Sequence, residues 1–95
     1  NEGQSWAHFL FILWAVPRAG SRKTRLGLVA SRKVGNAVAR NRARRLLREA
    51  ARQLYGHVPP GWDIILLARR PILQVKEPCV ETALARMLQR VELWS

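Results

Sequence analysis

Residues 25–49 of this 95-residue chain read RLGLVASRKVGNAVARNRARRLLRE, and the fold turns on how that stretch is parsed. The apolar segment at 26–31 suits a strand, and Arg32, Lys33, Val34, Gly35 and Asn36 turn the chain. From about residue 37 to residue 54 there is no Gly or Pro, while Ala, Leu and Arg, all good helix formers, dominate. At about 100° per residue, Ala43, Leu46, Leu47, Ala50 and Leu54 fall on one stripe, which predicts a helix with that stripe against a sheet. Arg44, Arg45, Arg48 and Arg52 cluster opposite, with Arg40 and Arg42 on the flanks. The helix carries its charge outward.

Upstream, the run FLFILWAV at 9–16, ended by Pro17, predicts a strand covered on both faces, with the 26–31 strand as its hairpin partner. Residues 18–24, with Gly20 and Ser21, form a basic surface loop. Downstream, Gly56 suits a C-terminal cap, and Pro59, Pro60 and Gly61 separate the helix from the next element. DIILLA at 63–68 predicts a third strand, ended by Arg69, Arg70 and Pro71. A second helix over about 78–93 begins at Pro78 and has Val80, Leu84, Met87, Leu88 and Val91 at helical spacing. The expected order is β-β-α-β-α. That order makes a small two-layer α+β or α/β fold, a mixed sheet of three to four strands with helices packed on it, in one domain over 1–95.

Seventeen Lys and Arg against six Asp and Glu leave a formal charge of +11, and between residues 18 and 52 twelve basic residues face Glu49 as the only acid. Such a concentrated positive field implies a polyanion. Guanidinium groups donate paired hydrogen bonds to phosphate oxygens, and Arg40, Arg44 and Arg48 repeat at four-residue spacing, so they line a row along the helix. Asn41 adds an amide that both donates and accepts, which suits sugar or base edges. A merely solvated helix alternates signs. This one holds six Arg and a single Glu.

Cys79 is the only cysteine, which leaves no intrachain disulfide and makes the cytoplasm the default compartment. The 9–16 run is too short to span a bilayer. His8 and His57 have no partner at ligand spacing and read as strand-edge and loop residues, Cys79 as a partly buried residue at a helix start, and Trp62 and Trp94 as packing residues. Arg69 and Arg70 fit RNA contact and simple solubility equally.

The run from Ser31 to Val38, followed by Arg40-Asn41-Arg42 and Arg44-Arg45, resembles the signature of the bacterial ribonuclease P protein component. Residues 3–17 are similar to that family's first strand, and residues 63–71 to its last strand with a trailing basic pair. The resemblance implies the fold of the second domain of ribosomal protein S5, with an unusual left-handed βαβ crossover, where strand rules alone give a right-handed one. It implies a non-catalytic subunit of an RNA enzyme. The RNA would perform Mg²⁺-dependent endonucleolytic removal of the 5′ leader of precursor tRNA, while the protein binds no cofactor itself and needs neither membrane nor protein partner. No paired carboxylates near a His, no metal-spaced Cys or His cluster and no Walker-type loop suggest catalytic or metal-binding residues in the chain.

By the resemblance, Arg40, Asn41, Arg42, Arg44, Arg45 and Arg48 contact the catalytic RNA, and Arg32 and Lys33 extend that surface. The family's leader-binding cleft corresponds to Ile12 and Trp14, with Leu10 placed on the same face by alternation. All three also fit a core. The family's helix before Gly3 is absent from this sequence, which opens at Asn1 without a Met. The start without Met suggests a fragment; if the helix is truly missing, half of the cleft is gone and Trp14 is abnormally exposed. Two other classes fit in part: a ribosomal or RNA-chaperone protein, separated by leader-dependent affinity, and a membrane-active cationic protein, which the Trp- and Phe-free apolar helix stripe argues against.

Overall fold

β2 (Phe11–Pro17) is the centre of the architecture, because it pairs antiparallel with two neighbours at once. On one side lies β1 (Gln4–Ala7), on the other β4 (Trp62–Ala68), and β3 (Arg25–Val29) adds to β4 in parallel, giving the order β1-β2-β4-β3. The computed structural model describes residues 3–20 and 22–95, so Ser21 of the basic loop lies outside the described residues. The sheet is mixed and four-stranded, as the upper end of the expectation had it. The strand at 25–29, however, is not the hairpin partner of β2. That place belongs to β1, and the order is β-β-β-α-β-α.

A tight turn accounts for the difference. The His8 N–H donates to the Phe11 carbonyl at 2.8 Å and the Leu10 N–H to His8 Nδ1 at 3.0 Å, which breaks the apolar run at residues 8–10 and folds β1 back on β2. With β1 and β4 on its two edges, β2 has no edge left for β3.

α1 (Ala37–Leu54) has the bounds its composition predicts. Asn36 caps it, its side-chain oxygen accepting from the Ala39 N–H at 2.9 Å. Ala43, Leu47, Ala50, Ala51 and Leu54 are buried, Leu46 is half-buried, and the stripe packs most heavily on α2 (Glu77–Arg90), with lesser contact to β3 and β4. Gly56 does not cap α1 in a left-handed conformation. The helix runs into a 3-10 turn at Tyr55–His57, and the positive-φ glycines of the described chain are Gly20, Gly35 and Gly61. α2 stops at Arg90 rather than 93, with Val80, Leu84, Met87 and Leu88 buried and Val91 as its C-cap. Cys79 is exposed on its first turn rather than partly buried. Trp62 and Trp94 pack against the core, the latter stacked on His57 with ring centroids 4.1 Å apart.

Both helices lie on one face of the sheet. Phe11, Leu13 and Ala15 of β2 and Ile64, Leu66 and Ala68 of β4 point into them. Among the described residues β2 is therefore covered on one face, not two. Beside β3, Thr24 ties the far end together: its hydroxyl donates to the Pro59 carbonyl at 2.6 Å and accepts from the Trp62 N–H at 3.3 Å. No helix of the described residues is long and apolar enough to cross a membrane.

Candidate nucleic-acid interface

The turn at residues 31–36 is what aims α1. Val34 is buried and anchors it, the Val34 and Gly35 N–H groups donate to the Ser31 and Arg32 carbonyls, and Arg32 and Lys33 are left exposed. Gly35 sits at φ +151°, and a Cβ there would lie 2.9 Å from the Ala39 Cβ, so the chain can enter the helix this sharply only without a side chain. The Arg40 guanidinium donates to the Gly35 carbonyl at 3.0 Å. Arg40 thus braces the turn as well as opening the basic row.

Along the row, Arg44 donates to the Asn41 side-chain oxygen, which fixes both side chains and leaves the Asn41 NH₂ to donate outward. Arg52 pairs with Glu49 at 2.7 Å. That pair uses the one acid of the helix. Arg42, Arg45 and Arg48 are exposed and have no acidic partner among the described residues.

The sheet face away from the helices is also apolar, and the register orders it in rows. Val29, Leu67, Ile12 and Ala7 form one; Gly27, Ile65, Trp14 and Ser5 the next; Arg25, Asp63 and Val16 the last. Trp14 is 52% exposed, and Ile65 and Val29 are each 43% exposed. Gly3 runs so close that a Cβ would lie 2.8 Å from Trp14 Nε1, so the start of β1 lies against the indole. Leu10 does not share this face. It lies in the bend before β2, is 3% exposed and belongs to the core, because the bend breaks the alternation on which its placement rested.

At the end of the open face, a groove of about 550 Å³ brings Ile12 and Leu67 together with Lys33, Arg69 and Arg70. The opposite end carries Asp63, held by Arg25 through two hydrogen bonds of 2.9 and 3.0 Å and faced by Arg18 at 3.6 Å. The Arg25 hydrogen bond lowers the Asp63 pKa, and the Arg18 and Arg25 charges add to it against the opposing effect of burial. The face is thus apolar in the middle, with a basic cluster at one end and an arginine-held carboxylate at the other. Sequence reasoning missed Val29, Ile65 and Leu67, because residues 26–30 and 64–68 hold no polar residue and no alternation marks a face.

The family model described as Ribonuclease P matches residues 1–92. A ribonuclease P protein component from Herpetosiphon aurantiacus is 37% identical over 97% of this chain and 74% of its own length. The ribonuclease P protein from Thermotoga maritima superposes with a TM-score of 0.82 at 32% identity, over 94% of this chain and 84% of that one. The Staphylococcus aureus protein superposes with a TM-score of 0.83 at 29% identity, over 98% and 84%. Matching in sequence and fold over nearly its whole length, the chain belongs to the ribonuclease P protein family.

Proposed function

We propose that α1 and the turn before it neutralise phosphates of the ribonuclease P RNA, and that the open sheet face holds the single-stranded 5′ leader of precursor tRNA. The observation that carries this reading is the row of exposed α1 arginines without acidic partners. Arg42, Arg45 and Arg48 offer forked donors to a folded phosphate backbone, Arg44 is oriented by Asn41, and Arg32 and Lys33 extend the surface. On the open face, Trp14 gives a base a flat ring to stack on and Ile12 an apolar neighbour, which serves leaders of any sequence. Lys33, Arg69 and Arg70 meet the strand's phosphates at the groove.

The bond cleavage itself would belong to the RNA and its Mg²⁺. The protein's part is electrostatic and positional: it lowers the repulsion between the RNA and an incoming polyanion and holds the leader, so that less Mg²⁺ is needed. The setting proposed is the bacterial cytoplasm. About six phosphate contacts predict roughly a thousandfold loss of affinity between 50 and 200 mM salt.

Cleavage of precursor tRNA by a bacterial ribonuclease P RNA at low Mg²⁺, with and without this protein, tests the reading. Wild-type protein should stimulate cleavage and Arg44→Ala/Arg48→Ala should lose most of the stimulation, since hydrogen bonds to charged groups are worth about 1.5 to 3 kcal/mol each. Equal stimulation by both proteins would remove α1 from the interface.

A further inference from the structure

On the helix side of the sheet, at the same end as the Lys33 groove, a second groove of about 460 Å³ runs between the β1–β2 turn and the outer side of α2. Phe9, Leu10 and Met87 supply its apolar part and Arg86 and Arg90 its charge; no acid lines it. Phe9 is 69% exposed, the most exposed Phe, Tyr or Trp side chain among the described residues. Its place is fixed rather than incidental. His8 stacks on Phe11 with centroids 4.9 Å apart and accepts the Leu10 N–H, which pins the turn on both sides of Phe9. Arg86 and Arg90 stand one helical turn apart with no acidic partner among the described residues.

This groove joins the open face through Arg69. The Arg69 guanidinium donates to the His8 carbonyl at 2.9 Å, and the same residue lines the groove that holds Lys33, Arg70 and Ile12. Lys33, Arg69 and Arg70 of the first groove and Arg86 and Arg90 of the second thus flank the end of the sheet where Arg69 meets His8. We propose that the groove beside α2 is a second site for single-stranded RNA, with a base stacked on Phe9 and its flanking phosphates paired with Arg86 and Arg90. The inference rests on the reading that the open face binds single-stranded RNA, and extends the strand held there. Continuity with that face favours RNA over an acidic protein segment, and stacking on an exposed ring beside arginines needs no particular base.

Cys79, the sole cysteine, is exposed in this groove and reports on it directly. The full chain is alkylated with N-ethylmaleimide in the presence of fluorescein-labelled oligouridylates, short ones that cover only the open face and long ones that reach past Arg69. The long oligonucleotides should slow alkylation and the short ones should not. Phe9→Ala should weaken binding of the long oligonucleotides about tenfold and leave the short ones unchanged. Arg86→Ala/Arg90→Ala should lower the slope of log affinity against log salt by about 1.4, as expected for two single-strand phosphates. Phe9→Leu keeps apolar bulk without the ring and should behave as Phe9→Ala. Wild-type affinity in Phe9→Leu would overturn the stacking assignment.

If long oligonucleotides bind while Cys79 reacts at its free rate, the second site is wrong and the open-face reading stands. If short oligonucleotides do not bind at all, the open-face reading fails and takes this one with it. Polyglutamate protecting Cys79 as well as RNA at equal charge would overturn the RNA assignment in favour of an acidic protein segment.

Discussion

Alternate residues of the same two strands build the two faces of the sheet, and both faces are apolar, yet their fates differ. Phe11, Leu13, Ala15, Ile64, Leu66 and Ala68 are between 0 and 4% exposed beneath the helices, whereas Trp14 and Ile65, one residue along, are 52 and 43% exposed. Apolar character is thus no guide to burial here. What separates the faces, among the described residues, is what packs on them, and the exposed apolar patch is the surface proposed to hold the leader.

The contrast can be broken most severely from the covered side. Leu13→Ala opens a cavity in a fully buried site and should cost about 2 to 5 kcal/mol in denaturant unfolding; a cost below 1 kcal/mol would mean that the core collapses around the gap. Gly35→Ala strains the turn that sends α1 over that face and should cost about 1 to 3 kcal/mol, with RNA affinity falling as the basic row shifts. Trp14→Ala sharpens the comparison instead. It should change stability by less than about 1 kcal/mol while weakening single-stranded RNA binding by the roughly 1 to 3 kcal/mol of one stacked base, and a stability loss as large as that of Leu13→Ala would make Trp14 core.

Asp63→Asn should give the smallest effect. Arg25 holds the Asp63 carboxyl below its ordinary pKa, so this pair stabilises the fold above the ordinary carboxylate range, and that contribution is lost as pH falls through the lowered value. Melting temperatures followed from neutral to acid pH should fall less in the variant than in the wild type. Parallel curves would mean that the pair contributes nothing.

α1 was legible because residues 37–54 are an unbroken run of helix formers without Gly or Pro, a signal that is local. Strand partners were not. Neighbours in sequence are usually neighbours in a sheet, which made residues 26–31 the natural hairpin partner of β2; the real turn at His8, Phe9 and Leu10 carries no Gly, Pro or Asn to announce it. Leu10 was misplaced for the same reason. The basic row of the candidate site was readable because charge is counted residue by residue. The open face needed three strands in register, and only the pairing of β4 with β2 and β3 revealed Val29, Ile65 and Leu67 on it.

The parallel pairing of β3 with β4 also has a consequence for the order of folding. Arg25 and Asp63, which face each other across it, are 38 residues apart, so the pair forms only after a long closure across α1. The cap and brace of α1, by contrast, connect residues within five positions of one another. A chain still emerging from synthesis is therefore expected to gain α1 early, and the open sheet face only when the last long-range strand arrives. The two proposed halves of the interface mature at different times.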